Sequence, residues 1–236
     1  MINKINDDAV AAVSAVKDGD TVLIGGFGEA GNPTELVHAL IEHGARDLTV
    51  VNNNAGNGEI GLARLLLKGR VAKLICSFPR SSHGHVFNEL YRAGKIELEL
   101  VPQGTLAERM RAGGAGVPAF FTPTAAGTDL AVGKEVRIFE GREHVLETAI
   151  RGDVALVKAE VADRWGNLVY RKAARNFGPV MAMAARSTIA QVRRTVPLGS
   201  IDPEQIVTPS IFVDQVVVVP VPVSERDHLL EKEAVR

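Results

Sequence analysis

The sequence predicts an α/β fold, an open and mainly parallel sheet flanked by helices, with a smaller antiparallel β portion. Three observations carry this. Between Thr21 and Arg111, short apolar runs alternate four times with amphipathic segments, at a repeat of roughly 25 residues. The amphipathic segments stop at glycines such as Gly44, Gly69 and Gly94, and glycine takes the left-handed position after a helix. Beyond Gly133 the pattern changes, and Val136–Phe139 and His144–Thr148 flank a short polar turn as in a hairpin.

The elements follow in order. Asp8 to Val16 carries Val10, Ala12, Val13 and Val16 at helical spacing, with Asn6 or Asp7 as N-cap. Thr21–Ile24 is the first strand of the repeat. Pro33–Glu42 is a helix with Leu36, Val37, Leu40 and Ile41 on one face. Leu48–Val51, Val71–Cys76 and Ile96–Val101 are strands; Glu59–Leu67 and Val86–Arg92 are helices between them. Leu106–Arg111 is a short helix ended by Gly113 and Gly114, and Gly113–Gly133 is a long loop. Val154–Lys158 is an apolar strand, and Asp163–Asn167 turns into Leu168–Tyr170. Pro179–Ala185 is a small-residue helix, Thr188–Val192 and Phe212–Val219 are strands, and Ser224–Arg236 is a frayed, charged tail. No composition break marks a linker, so residues 1–236 are expected to form one domain.

Composition narrows the function. A chain of 236 residues with 46% hydrophobic content can bury a substantial core. A formal net charge of −1 argues against nucleic-acid or membrane-surface partners. One cysteine, Cys76, excludes an intrachain disulfide framework and a cysteine-built zinc site. The N-terminal residues lack a signal-peptide pattern, and no apolar run approaches the length of a membrane span. The expectation is a cytoplasmic protein.

The densest signal is Thr21 to Pro33. An apolar strand runs into Gly25, Gly26, Gly28 and Gly31, and Pro33 opens the next helix. Glycines there allow positive φ and close approach of a ligand, and the first helical N–H groups attract an anion. Residues Gly26 to Gly31 satisfy G-x-G-x-x-G, the dinucleotide fingerprint. Two features argue against a dinucleotide. The proline starts the helix after the motif instead of inside it, and the next strand ends in Asn52-Asn53-Asn54 without the acidic residue that holds a ribose.

The other strand ends are polar and nearly free of acids: Asn52 to Glu59, Ser77 to Ser82, and Pro102 to Thr105. Candidate groups there have plain alternatives. Glu59 is a possible nucleophile or a first-turn helix residue. Cys76 reads as a packed core thiol. His83 and His85 lack helical metal spacing, and no metal site is expected. Lys172, Arg175 and Asn176 are able to hold an anion or to sit in solvent. Gln103 offers an amide to an oxyanion. No Ser-His-Asp order and no P-loop lysine occurs, so the residues alone suggest a polar acyl- or phosphate-bearing ligand and no convincing nucleophile.

Four motifs in this order carry a resemblance: Gly25-Gly26-Phe27-Gly28-Glu29-Ala30-Gly31-Asn32-Pro33; Asn53-Asn54-Ala55-Gly56; Pro102 to Arg109; and Tyr170 to Phe177. The chain resembles the alpha subunit of the family I CoA-transferases, in particular the 3-oxoadipate branch, over nearly its whole length. That resemblance implies the α/β CoA-transferase fold and a ping-pong transfer of CoA from succinyl-CoA to a 3-oxo acid through a glutamyl-CoA thioester. It implies a partner subunit of the same fold that carries the nucleophilic glutamate in a Ser-Glu-Asn-Gly motif, in a heterodimer or in a heterotetramer with two copies of each chain. This chain lacks that tetrapeptide; Gly58-Glu59-Ile60-Gly61 is its nearest match. The family pattern makes Gln103 an oxyanion donor and Gly25, Gly26, Phe27, Gly28, Glu29, Ala30 and Gly31 the CoA-binding segment, with Asn53 and Asn54 lining the same cleft. It implies CoA and succinyl-CoA as substrates and no permanently bound cofactor. Arg80, Arg171 and Arg175 are candidates for the second carboxylate of 3-oxoadipate. An acetoacetate-type alpha subunit is the alternative acceptor assignment, and a non-catalytic acyl-CoA-binding protein is the alternative of a different class.

Overall fold

The computed structural model describes residues 2–81 and 83–234; Ser82 of the expected third loop and Val235 and Arg236 of the expected tail lie outside them. These residues form fourteen strands and seven α-helices, which alternate from β1 to β6. In order they are β1 (Ile5–Asn6), α1 (Ala9–Ala12), β2 (Thr21–Ile24), α2 (Thr34–His43), β3 (Leu48–Val51), α3 (Gly61–Leu67), β4 (Val71–Cys76), α4 (His85–Arg92) and β5 (Glu97–Leu100). Then come α5 (Gln103–Ala115), β6 (Ala119–Thr122), β7 (Val136–Phe139), β8 (Arg142–Thr148), β9 (Gly152–Lys158), β10 (Val161–Asp163) and β11 (Leu168–Val169). The chain closes with α6 (Gly178–Ala184), β12 (Ala185–Val192), β13 (Arg194–Val196), β14 (Gln215–Val218) and α7 (Glu225–Ala234).

Eight strands form one sheet in the order β1-β14-β12-β9-β2-β3-β4-β5, and every neighbouring pair runs parallel. Such a sheet is buried on both faces, and the side-chain alternation of its strands is visible in the packing. Val22 and Ile24 of β2 join a core with Leu36, Leu40, Leu65 and Phe87 from α2, α3 and α4. Leu23, between them, faces the opposite core with Leu106, Met110 and Met181 from α5 and α6. The main sheet is therefore sandwiched between two helical layers. A three-stranded antiparallel sheet, β6-β8-β7, extends from α5, and β11-β10-β13 forms another small sheet.

Several expectations are corrected. The helix expected over Leu106–Arg111 runs over thirteen residues and passes through Gly113 and Gly114. A Cβ on Gly113 would lie 2.1 Å from the Ile150 carbonyl oxygen, and one on Gly114 would lie 2.9 Å from Met183 Cβ. Both glycines admit close packing, and the helix ends at Gly116, whose φ is +76°. The expected loop Gly113–Gly133 contains the strand β6 and a 3-10 turn, Asp129–Ala131. The helix expected from Glu59 starts at Gly61, which leaves Glu59 in the preceding turn. Asp8, not Asn6 or Asp7, caps the first helix by accepting from Val10 N and Ala11 N at 2.8 and 3.2 Å, and that helix closes at Ala12. The tail expected to fray forms α7.

Candidate active site

β2 is the point where the sheet changes direction. β3, β4 and β5 follow it towards one edge, and β9, β12 and β14 lie towards the other. A crevice outside the carboxyl ends at such a reversal is the usual ligand site of an open α/β sheet. The glycine loop occupies that position.

Gly25 continues the ladder by donating to the Leu156 carbonyl of β9 at 2.9 Å. Phe27 and Ala30 then exchange backbone hydrogen bonds of 3.0 and 3.1 Å, which makes Gly28-Glu29 the tip of a tight turn. Phe27, 49% exposed, stands at the base of that turn. Gly31, at φ +81°, has no room for a side chain, since a Cβ would lie 2.5 Å from the Ala174 carbonyl oxygen. Asn176 fixes the loop from the other side. Its Oδ1 accepts from Gly26 N at 3.2 Å, and its Nδ2 donates to the Ala30 carbonyl at 2.8 Å. Asn176 also accepts from Phe177 N and donates to the Ala173 carbonyl, so its amide is consumed by the loop and is not left for an anion.

The asparagine run after β3 is a pair of nested side-chain turns. Asn52 Nδ2 donates to the Ile24 carbonyl at 2.7 Å, and Asn52 Oδ1 accepts from Asn54 N at 2.8 Å. Asn54 Oδ1 accepts from Gly56 N at 2.8 Å. Asn53 lies between them, buried, and its carbonyl takes N–H groups from Ser77 and Phe78 at the end of β4. Its side-chain Oδ1 accepts from Gln103 Nε2 at 2.7 Å. Gln103 is exposed at the first position of α5. A primary amide has two hydrogens on nitrogen. Asn53 holds one and leaves the other for a ligand oxygen.

The expected anion position at the start of α2 is filled from within the chain. Glu225, 3% exposed, accepts from Thr34 Oγ1 at 3.2 Å. Gly61 leaves it room, since a Cβ there would lie 2.6 Å from Glu225 Oε1. Burial, opposed by hydrogen bonds from Asn32 and Thr34, pushes the Glu225 carboxyl up to about 7. Glu29 of the glycine loop in turn accepts from Ser224 Oγ and Arg226 N, both at 3.0 Å, and so caps α7. Sequence reasoning missed Glu225 and Asn52. The charged tail carries no local sign that one acid is buried, whereas Asn52 is marked by its position directly after β3.

Of the other expected residues, Cys76, Glu59, Arg80 and Arg175 lie apart from the glycine loop, whereas Arg171 and Lys172 stand beside it. Cys76 is buried, and burial pushes its thiol up to about 12, which leaves it a packing residue. Glu59 is exposed, with its carboxylate 3.8 Å from His85 Nε2. Arg80 lines a separate groove with Phe78, Tyr91 and Leu100. Arg171 and Lys172 line a cleft of about 720 Å3 against Phe27 and Gly31. Arg175 is exposed and does not line it. Among the described residues no group of His, Cys, Asp and Glu is placed to hold a metal, and no helix is long and apolar enough to cross a membrane.

Residues 6–219 match the family model described as Coenzyme A transferase. The chain belongs to the coenzyme A transferase family. It is 62% identical over 219 residues to a subunit of the 3-oxoadipate CoA-transferase of Pseudomonas putida, covering 93% of this chain and 95% of that one. It is 52% identical over 211 residues to the corresponding subunit of the succinyl-CoA:3-ketoacid coenzyme A transferase of Xanthomonas campestris pv. campestris strain B100, covering 89% and 86%. In architecture it matches the acyl-CoA transferase apoenzyme of Escherichia coli O157:H7 with a TM-score of 0.84 at 22% identity, over 93% of this chain and 47% of that one. The expected fold and transferase class are borne out, and in this coenzyme A transferase the glycine loop, the asparagine run and Gln103 meet at one sheet edge.

Proposed function

We propose that this chain is the alpha subunit of a two-subunit 3-oxoacid CoA-transferase that moves CoA from succinyl-CoA to 3-oxoadipate. The whole chain acts as one unit and supplies one wall of the site; the partner subunit supplies the nucleophilic glutamate. The assembly is a heterodimer or a heterotetramer with two copies of each chain, in the cytoplasm, with CoA thioesters as substrates and no resident cofactor. The observation that carries this reading is the Gln103 amide, oriented by Asn53 at an edge where the described residues offer no activated nucleophile. The relatives are each named as one subunit of a larger enzyme, which supports the partner.

The chemistry follows the family resemblance. A glutamate oxygen of the partner subunit attacks the thioester carbonyl, its C–S bond breaks, and CoA leaves as thiolate from an acyl-glutamyl anhydride. The thiolate then attacks the glutamyl carbonyl and expels the acid as carboxylate, leaving glutamyl-CoA. The acceptor acid reverses both steps. Each addition places negative charge on a carbonyl oxygen, and the free Nε2 hydrogen of Gln103 is the donor offered to it. Gly25 to Gly31, with Asn53 and Asn54, shape the wall against which the CoA thioester lies, because the loop backbone stands open to close approach at Gly28.

The test is reconstitution. The chain alone is expected to be inactive, and the chain with its partner subunit is expected to transfer CoA from succinyl-CoA to 3-oxoadipate faster than to acetoacetate. Gln103→Ala is expected to lower kcat by roughly 10²-fold, the scale of one oxyanion donor. Full activity of the single chain, or an unchanged kcat in the variant complex, would overturn the assignment.

A further inference from the structure

The cleft beside the glycine loop carries charge that the transfer chemistry above does not use. Lys158 ends β9, Arg193 follows β12, and Arg171 and Lys172 come from the segment that packs on Gly31. All four face one cleft with Glu29 and Glu160, a net positive charge of two. No carboxylate of a described residue lies within 4.0 Å of any of the four cations, although Arg193 Nε donates to the Pro220 carbonyl at 3.5 Å and the charge of Lys158 is felt at Glu225. Glu29 is already engaged in capping α7. Exposed lysines and arginines scattered singly need no explanation. Four converging on one concave surface, with one of the two acids there occupied elsewhere, mark an anion site.

The sheet sets the distance from this charge to the reacting end. From β9 through β2 to β3 is two strand spacings, about 10 Å, and Gln103 is tied to Asn53 just beyond β3. The carboxyl carbons of an extended six-carbon diacid lie roughly 6 Å apart, from five C–C bonds. The flexible stems of Lys158 and Arg171 close the remainder. Arg80, the rival cation, faces a groove with Phe78 and Tyr91 on the far side of β4 and shares no lining residue with this cleft.

We propose that Lys158, Arg171, Lys172 and Arg193 form the subsite for the distal carboxylate of a dicarboxylic acyl substrate whose reacting carbonyl lies at Gln103. This selects dicarboxylic over monocarboxylic acids, and it rests on the CoA-transfer reading of the site. The phosphates of CoA are the other source of an anion for such a cleft, and the experiment separates them.

In ping-pong kinetics the kcat/KM of each substrate reports its own half-reaction. The reconstituted enzyme is measured with 3-oxoadipate, acetoacetate and acetoacetyl-CoA, as wild type and as Arg171→Gln, Arg193→Gln and the charge-keeping Arg171→Lys. The 3-oxoadipate to acetoacetate ratio of kcat/KM is expected to fall about ten- to hundredfold in the glutamine variants, the range for a lost charged hydrogen bond, and to recover partly in Arg171→Lys. An equal loss on both acids, or a loss centred on acetoacetyl-CoA, overturns the subsite. Binding gives an independent reading, because the cleft lies wholly within this chain. Calorimetric titration of the full chain is expected to find adipate bound more tightly than hexanoate, with the preference lost in Arg171→Gln. That preference stands or falls even if no CoA transfer is seen, so the failure of the subsite and the failure of the reaction assignment give different results.

Discussion

Replacing Glu225 by glutamine isolates the energetic consequence of burying an acid under the C-terminal segment. The amide keeps the shape and can still accept from Thr34 Oγ1, but it cannot ionise. In the wild type, burial is the main cause that raises the carboxyl from 4.5 to about 7; Glu29 adds to the rise, and hydrogen bonds from Asn32 and Thr34, with the charge of Lys158, oppose it. At 1.36 kcal/mol per unit the docked segment favours the protonated acid by about 3 kcal/mol. The folded pKa lies above the unfolded one, so this stabilisation is complete below about pH 4.5 and is lost as pH rises through about 7. Hydrogen exchange of the 225–234 amides reads it directly, and the ratio of wild type to Glu225→Gln cancels the intrinsic pH dependence of exchange. Protection in the wild type relative to the variant is expected to fall by up to tenfold per pH unit between pH 5 and 7, then to level off. A ratio independent of pH across that window would refute the argument that the buried carboxyl titrates with docking of α7.

Other outcomes follow from the same geometry. Asn53→Ala is expected to lower kcat of the reconstituted enzyme by about tenfold, and the Asn53→Ala/Gln103→Ala pair is expected to cost little more than Gln103→Ala alone, because the first acts through the second; additive losses in a double-mutant cycle would separate them. Gly113→Ala, which sets a methyl against the Ile150 carbonyl, is expected to destabilise the fold by about 2–4 kcal/mol in urea unfolding, well above the effect at the open Gly94. Cys76 is expected to stay unreactive towards a thiol reagent at pH 8 in the native protein and to react on unfolding, since its thiol is held up to about 12 by burial. Arg109→Met is expected to cost about 1.5–3 kcal/mol, because it takes from Glu99 and buried Glu147 the guanidinium they share, at 2.6 and 3.9 Å, while Lys73 and Lys134 still pair with them at 3.0 and 2.6 Å.

What was legible in the sequence depended on whether the cause of a structure was local. The strand-helix repeats were readable because burial on both sheet faces leaves largely apolar runs in β2, β3 and β4, and helix stops such as Gly44, at φ +96°, require a glycine wherever the rest of the chain goes. Gly113 and Gly114 were misread for the same reason in reverse. Within the sequence, a glycine that ends a helix and one that lets a helix touch its neighbour are the same letter, and only the arrival of Ile150 and Met183 tells them apart.

The candidate site divides along the same line. The glycine loop, the asparagine run and Gln103 each follow a strand, so their gathering at one edge could be anticipated from the parallel sheet alone. The bond that aims Gln103 could not, because it joins residues 50 apart through a side chain with no periodic signature. Glu225 is the extreme case: its burial requires Thr34, Asn32 and Gly61 to converge on a tail whose composition alone predicts solvent. The acid that the dinucleotide reading sought after β3 is absent there, and an acid nonetheless reaches the start of α2 from the opposite end of the chain. The site edge is thus built from one locally encoded half and one half encoded only by the tertiary fold. The reacting glutamate assigned to the partner subunit extends that logic by one further chain.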